Sequence, residues 1–191
     1  MVRSVQLLLG CALFALAACQ PRDDTSTDNN IENGVENVST DPATGDAAAA
    51  PAAADFAAAV ARSDLYEIES GELAAQKATS AEVKSFAQML VGDHRKSTAD
   101  LKAAVAGIDP PVTIEPVLDQ EKLGMVETLK STPAADFDKA FIDQQKQAHQ
   151  KALELLRAYA ARGDNQALKD FAAKASTVVQ GHLDKLNGMQ P

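Results

Sequence analysis

The chain of 191 residues has no Trp, two Tyr and six Phe, so aromatic residues make up only 4% of it. Strands are enriched in aromatic and β-branched residues, and this composition therefore favours helices over an all-β fold. Basic residues are also scarce, with 18 against 27 acidic ones and a formal net charge of −9. Because nucleic-acid-binding domains normally carry a basic patch, we expect no nucleic-acid partner.

Cysteine frameworks and enzyme motifs are missing as well. Two cysteines cannot build a disulfide framework or a multi-cysteine zinc site. The sequence contains no Gly-x-Gly-x-x-Gly, no phosphate-binding loop and no Gly-x-Ser-x-Gly. No sequence motif therefore indicates a catalytic residue, and this absence favours a non-enzymatic protein.

Residues 1–18 have the pattern of an export signal. Arg3 supplies a positive charge, and the apolar run from Val5 to Leu16 is too short to span a membrane as a helix. The following Leu16-Ala17-Ala18-Cys19 resembles the lipobox of bacterial lipoproteins. The resemblance implies cleavage before Cys19 and acylation of that residue, which would anchor the chain in a membrane.

Two further expectations follow from the lipobox resemblance. The residue after Cys19 is Gln20 rather than Asp, which implies sorting to the outer membrane, with the protein facing the periplasm of a Gram-negative-like bacterium. The alternative is an ordinary secretory signal in which Cys19 has no role. Besides the membrane, we expect an envelope protein of unknown identity as a partner at this location.

Residues 19–54 predict a disordered tether between the lipidated cysteine and a folded domain. The stretch after Cys19 holds seven acidic residues, many Asn, Ser and Thr, and an alanine run interrupted by Pro51. No apolar periodicity is present, so the segment cannot bury enough surface to offset the entropy of ordering. The domain is expected to begin at residue 55 and to continue to residue 191.

Residues 55–191 have helical periodicity with few breaks. We expect long helices over about 55–77, 80–106, 133–161 and 165–188, with a shorter helix over about 117–130. Four long helices joined mostly by short loops predict an all-α, up-down four-helix bundle with a short extra helix between helices two and three. The apolar stripes place Leu123 and Val178 inward.

Helix starts are marked by capping residues. Thr79 with Glu82 has capping-box spacing and predicts Thr79 as the cap of helix two. Thr132 is expected to cap helix three, with Pro133 at its first position, and Asp164 is expected to cap helix four.

Four polar residues fall on or beside the apolar stripes. They are Glu67 on helix one, His94 on helix two, His149 on helix three and His182 on helix four. Bundles use such sets to hold a metal in the core, and imidazole and carboxylate ligands suit Fe, Zn, Cu or Mn. The alternative is a structural network in which these side chains hydrogen-bond to one another or to Gln145.

The expected heights along the bundle favour the structural network. Counted from the turn at Gly163, His149 and His182 differ by about five residues, or roughly 7 Å along the axis. That separation predicts that the two rings do not reach one mononuclear site.

The same residues resemble a family, the domain-of-unknown-function family 4142. The resemblance lies in Phe86-Ala87-x-x-Leu90-Val91 before Asp93-His94, in Phe137-Asp138-x-x-Phe141 before His149, in His182, and in Glu67 with Gly71 and Leu73-Ala74. It implies a ferritin-like bundle, secreted or envelope-bound in bacteria. The chain departs from the di-iron ferritins, since Val91, Lys146 and Val179 stand where their Glu-x-x-His motifs would place a carboxylate. Asp93 and Asp138 remain candidate supporting partners of the histidines.

Two functions stay open at this point. The favoured one is a non-enzymatic envelope module that binds a partner or buffers envelope stress, with no cofactor and with inward polar residues that fix helix register. The other is a metal-binding or redox bundle that uses Glu67, His94, His149 and His182.

Overall fold

The computed structural model describes residues 51–190, and within that range the chain forms five helices and no strand. The helices are α1 (Ala53–Lys77), α2 (Ala81–Val105), α3 (Gln120–Ser131), α4 (Ala134–Arg162) and α5 (Gln166–Gly188). The predicted all-α bundle of four long helices with a short extra helix is confirmed. The predicted signal peptide, the lipidated Cys19 and most of the predicted tether lie outside the described residues; α1 begins two residues before the predicted domain start.

The four long helices form two hairpins that pack against each other. Helix α1 pairs with α2 and α4 with α5, while α2 contacts α5 and α1 contacts α4. Short connections make each hairpin antiparallel. The long connection over residues 106–133, which includes α3, returns the chain along the bundle, so α4 runs parallel to α2. A single long crossover of this kind is the connectivity of ferritin-like bundles.

Two apolar clusters fill the two ends of the bundle. The end with the α4–α5 turn contains Phe56 stacked on Tyr159, with ring centroids 3.8 Å apart. The end with the α1–α2 turn contains Phe86, Phe137 and Phe141. Between them lies a layer of buried polar residues at mid-height, beside a third, smaller apolar cluster of Tyr66, Leu118 and Val126 next to α3.

A close approach of α1 and α2 lies one turn from that polar layer. A Cβ atom added at Gly71 would lie 2.7 Å from Cγ2 of Val91 and 3.2 Å from the backbone oxygen of Ala87. Any larger residue would push the helices apart, so Gly71 sets the spacing of this hairpin beside Glu67 and His94.

The helix caps differ by one residue from the sequence prediction. Ser80, not Thr79, caps α2, since its hydroxyl oxygen accepts the N–H of Val83. The hydroxyl of Thr79 instead donates to Asp138 at 2.6 Å. The side chain of Thr79, which the local spacing favoured as the cap, is therefore engaged in a tertiary hydrogen bond. Its neighbour Ser80 caps the helix instead.

The other two predicted caps are corrected in the same way. Thr132 is the C-cap of α3, and Pro133 holds the N-cap position of α4 instead of its first helical position. Asn165 caps α5, whereas Asp164 accepts bonds from the hydroxyl of Tyr159 at 2.6 Å and from the N–H of Ala53 at 3.2 Å. Asp164 thus ties the start of α1 to the α4–α5 turn.

Two residues predicted to face inward are exposed. Val178 is 46% exposed because the adjacent Val179 takes the inward position on α5. Leu123 is 40% exposed, since α3 buries only its Val126 and Leu129 side. None of the helices described over residues 51–190 is long and apolar enough to cross a membrane.

Asp138 joins the start of α4 to the α1–α2 turn. Its carboxylate accepts the N–H of Thr79 at 3.0 Å, the hydroxyl of Thr79 at 2.6 Å and the N–H of Ser80 at 2.7 Å. Burial acts to raise the pKa of Asp138, but these hydrogen bonds outweigh it and lower that pKa below its ordinary value of 3.8.

We predict that Asp138→Ala lowers the free energy of unfolding by about 1–3 kcal/mol, because it leaves the donors of Thr79 and Ser80 without an acceptor. A lowered folded-state pKa means that the carboxylate stabilises the fold fully above pH 4 and loses this effect as the pH falls further. Urea unfolding at pH 7 and pH 3 should show the larger difference from wild type at pH 7. The control is Asp143→Ala, which removes an exposed ion pair with Lys139 and should cost less than about 0.5 kcal/mol. Equal effects of the two changes would contradict the role of Asp138.

Candidate functional site

The polar layer at mid-height contains all three histidines of the chain. His94 on α2, His149 on α4 and His182 on α5 are buried. One ring nitrogen of each lies within 4.8 Å of the corresponding nitrogens of the other two. Three buried imidazoles in this arrangement could hold a metal ion.

The histidines meet because side chains tilt toward the N-terminus of their helix. Measured from the α4–α5 turn, His182 lies only about three residues, or roughly 4–5 Å, farther along its helix than His149. In this antiparallel hairpin the tilt carries His182 back toward the turn and His149 away from it, so the rings converge. The height argument from the sequence was therefore wrong, since it counted Cα positions and ignored side-chain direction.

The ring of His94 is oriented by Asp64. Nδ1 of His94 lies 2.8 Å from Oδ1 of Asp64, and the other carboxylate oxygen accepts the hydroxyl of Thr98 at 3.1 Å. Asp64 is only 2% exposed. Since an ionised carboxylate can only accept, Nδ1 of His94 carries a proton and donates it to this bond. Nε2 of His94 is then the nitrogen left for the cluster.

His182 and His149 are oriented by acceptors in the same way. Nε2 of His182 donates to Oδ2 of Asp93 at 2.9 Å, and Nδ1 of His149 donates to the backbone oxygen of Gln145 at 2.9 Å. The remaining nitrogens, Nδ1 of His182 and Nε2 of His149, face each other at 3.3 Å. Each of the three rings is thus held by one nitrogen and presents the other to the centre.

Burial and charge affect the three rings differently. Burial, together with the neighbouring His94 and His182, lowers the pKa of His149 to about 3. Burial also lowers the pKa of His182, against the opposing effect of Asp93. For His94, burial acts to lower the pKa, but the bond to Asp64 and the nearby Glu67 carboxylate outweigh it and raise that pKa. His149 and His182 are therefore neutral at pH 7.

Glu67 lies beside the histidine cluster rather than among its closest nitrogens. Its Oε1 is 3.8 Å from Nδ1 of His149, the nitrogen that faces away from the cluster toward Gln145. Burial raises the pKa of Glu67 to about 7. The predicted four-residue ligand set is thereby reduced to three histidines, with Glu67 next to one of them.

Three buried polar atoms have no hydrogen-bond partner within residues 51–190: Oε2 of Glu67, Nε2 of His94 and Oε1 of Gln145. The side chain of Gln145 donates to the hydroxyl of Ser70 at 3.0 Å. Buried polar groups are nearly always paired, so three in one layer are unusual. Gln145 lies in this layer, whereas Asp138 lies at the α1–α2 turn, where it accepts bonds from Thr79 and Ser80 and contacts none of the histidines.

The residue that sequence reasoning missed is Asp64. The sequence analysis singled out Glu67 on α1 and not Asp64, which is buried whereas its neighbour Ser63 is only partly buried. The available signal was the spacing between Asp64 and Glu67, because residues three apart lie on one face of a helix. Two carboxylates on the face that already held Glu67 would have indicated a partner for His94.

The sequence profile of a family described as "Domain of unknown function (DUF4142)" matches residues 38–189. The match covers every residue of the polar layer and begins within the predicted tether, 17 residues before the predicted domain start. No curated protein and no solved structure matches the chain.

The two aspartates that orient histidines should differ in their effect on stability. We predict that Asp64→Ala lowers the free energy of unfolding by about 1.5–3 kcal/mol, since it leaves the buried Nδ1–H of His94 without an acceptor. The matched change Asp93→Ala should cost less than about 1 kcal/mol, because the Asp93 side chain is 43% exposed and water can replace it. Urea unfolding of chelator-treated protein measures both. A larger loss for Asp93→Ala would contradict the assigned roles.

Proposed function

The chain belongs to the DUF4142 family, and we propose that its bundle binds one transition-metal ion through Nε2 of His94, Nε2 of His149 and Nδ1 of His182. The observation that carries the proposal is the pair of facing nitrogens on His149 and His182. Both rings donate from their other nitrogen to an acceptor, so each facing nitrogen has a lone pair at 3.3 Å from the other. Two lone pairs at that distance repel each other unless a proton or a metal ion lies between them, and the lowered pKa of both rings disfavours the proton.

The separation of these nitrogens fits a metal. Zinc–imidazole bonds of about 2.0–2.1 Å in a tetrahedral site place two ligand nitrogens about 3.3–3.4 Å apart. The pair on His149 and His182 has this separation already. His94 completes the set after a closure of at most about 1.5 Å, since all three nitrogens lie within 4.8 Å of one another.

The supporting residues also fit a metal. Histidine ligands in metalloproteins usually donate their second N–H to a carboxylate or a backbone carbonyl, which fixes the ring and increases its basicity. Asp64, Asp93 and the carbonyl of Gln145 have this relation to the three rings. Imidazole nitrogens favour Zn, Cu, Fe or Ni over Mg or Ca.

Three neutral ligands leave at least one coordination position for water or another molecule, as catalytic zinc sites do. With no carboxylate among the three, the site lacks the bridging ligands of a di-iron centre. A bound metal would supply Lewis-acid or single-ion redox chemistry at this position.

We predict that the purified protein, prepared without a polyhistidine tag, takes up one equivalent of Zn²⁺ or Co²⁺. The changes His94→Ala, His149→Ala and His182→Ala should each reduce affinity at least 100-fold, because two imidazoles cannot replace three. Binding of metal to the folded state should also raise the melting temperature of wild type, and a chelator should reverse the rise. Elemental analysis and thermal melts measure these effects.

The matched control is Glu67→Gln, which keeps the volume of the side chain and lies outside the three-histidine set. It should retain one equivalent of metal. Since the chain has only three histidines, residual binding in a triple variant would come from other ligands. A wild-type protein that takes up no metal would contradict the proposal and would favour the alternative, a partner-binding bundle whose polar layer only fixes helix register.

We also propose that the protein is a lipoprotein of the bacterial envelope, anchored at Cys19 in the outer membrane and facing the periplasm. The support is the sequence Leu16-Ala17-Ala18-Cys19-Gln20 at the end of a short apolar run, followed by an acidic, alanine-rich stretch of about 35 residues. A role in partner binding or envelope stress is compatible with this location and with a metal site.

The lipid anchor predicts that Cys19→Ala releases the protein from membranes. Intact-mass analysis of the wild-type protein should show acyl chains on residue 19, since more than one chain is needed for stable anchoring. The control is Ser39→Ala, a change of similar size in the predicted tether that should leave fractionation unaltered. Membrane association of Cys19→Ala, together with an unmodified wild-type mass, would contradict the anchor.

A further inference from the structure

A cavity of about 800 Å³ extends from Asp64 and His94 toward the apolar cluster at the α4–α5 end of the bundle. All five helices contribute residues to its lining. Its wall includes Val60, Phe171 and Val179, which are buried members of that apolar cluster. An apolar void of about 150 Å³ in an engineered protein already holds a small organic molecule, so this space is large enough for a bigger one.

The edges of the cavity are charged and open to solvent. Lys96 pairs with Asp100 and Lys151 with Glu121 there, and the side chains of these lysines are 73% and 69% exposed. Five basic and six acidic residues line the cavity, so their charges nearly cancel. A molecule can therefore enter without unfolding the bundle, and the lining as a whole attracts neither cations nor anions strongly.

The buried polar groups in the cavity wall leave no atom free to bind a ligand. The carboxylate of Asp64 already accepts hydrogen bonds from His94 at 2.8 Å and from Thr98 at 3.1 Å. Of the three unpartnered buried atoms in residues 51–190, those of Glu67 and Gln145 belong to residues outside the lining, and Nε2 of His94 faces the histidine cluster. A charged group brought into the cavity would therefore lose its hydration without gaining a partner.

Apolar side chains of the wall remain partly exposed to solvent. Ala152, Leu155 and Ala175 pack against the apolar cluster but are only partly buried. Met125 lines the cavity from α3, and its flexible thioether can adapt to a ligand. Since the removal of apolar surface from water is favourable, a molecule that displaces water from this wall gains affinity from its apolar parts.

We propose that the cavity binds a neutral, apolar organic molecule. Its volume lies within the range of about 300–1,000 Å³ that is usual for the sites of drug-sized ligands. The wall supplies apolar surface, and its buried polar groups are already engaged, which excludes a charged head group from the interior. This inference does not depend on the proposed metal function, because neither His149 nor His182 lines the cavity.

The test uses residues 19–191 with the change Cys19→Ala, which contain every described residue and carry no acyl chain that could compete. A chelator keeps the protein free of metal. The neutral dye N-phenyl-1-naphthylamine, whose fluorescence rises in apolar surroundings, should bind saturably with one equivalent. Its sulfonated analogue 8-anilinonaphthalene-1-sulfonate should bind roughly tenfold or more weakly, because the cavity offers a buried sulfonate no partner. Equal affinity for the two dyes, or no saturable binding of the neutral dye, would overturn the proposal.

Two variants narrow the cavity without touching the histidine cluster. Ala152→Leu on α4 and Ala175→Leu on α5 add bulk to its wall, and each should weaken binding of the neutral dye roughly tenfold, because less of the cavity remains for the rings. The matched control is Ala173→Leu, on an exposed face of α5 outside the lining, which should leave the affinity unchanged. Far-ultraviolet circular dichroism should show the same helix content in all three. Unaltered dye affinity in both cavity variants would overturn the proposal.

A second measurement needs no change in the cavity wall. Buffer saturated with naphthalene, which is neutral and apolar, should raise the melting temperature of the same metal-free protein, since a ligand of the folded state stabilises it. An unchanged melting temperature would overturn the proposal. The results are separate from those on metal uptake: a protein that takes up metal but binds neither naphthalene nor the neutral dye contradicts only the cavity site, and a protein that binds both but takes up no metal contradicts only the metal function.

Discussion

The polar layer depends on the hydrogen bond between Asp64 and His94. This bond places two ionisable side chains in a region that is otherwise enclosed by apolar packing, with 2% and 7% exposure. A buried imidazole without an acceptor for its N–H would carry a large desolvation cost. With Asp64 in place, one nitrogen of His94 is satisfied and the other is free to face His149 and His182. The orientation of all three rings follows from providing one acceptor for each.

The two apolar clusters at the ends of the bundle make such a layer possible. A mid-height layer with unpartnered atoms on Glu67, His94 and Gln145 destabilises the fold, since each buried unpaired group costs about 1–3 kcal/mol. Stacked and edge-on aromatic rings at both ends, together with the Asp164 and Asp138 links between helix termini, offset that cost.

The sequence predicted the helices well because their apolar periodicity and loop residues are local signals. It also identified the three histidines, since each interrupts an apolar stripe. It failed on Thr79, Thr132 and Asp164 as caps, because in two of these cases a tertiary partner competes for the same side chain. It missed Asp64 because the choice between Ser63 and Asp64 as the inward residue depends on the rotation of α1 about its axis, which contacts with α2 determine.

The error on the heights of His149 and His182 has the same physical origin, and it bears on function. Residues on antiparallel helices can meet even when their Cα atoms differ in height by about a turn, since their side chains tilt in opposite directions along the bundle axis. On the α1–α2 hairpin, the Cα atoms of Glu67 and His94 differ in height by about a turn, and their side chains tilt toward each other. The same holds for His149 and His182 on the α4–α5 hairpin. Both hairpins therefore direct their polar residues to one level, which is how a chain with only three histidines brings all of them to a single point. The absence of Glu-x-x-His motifs argues against a di-iron centre but leaves this convergence intact, because a mononuclear site needs nitrogens at one level and no bridging carboxylate.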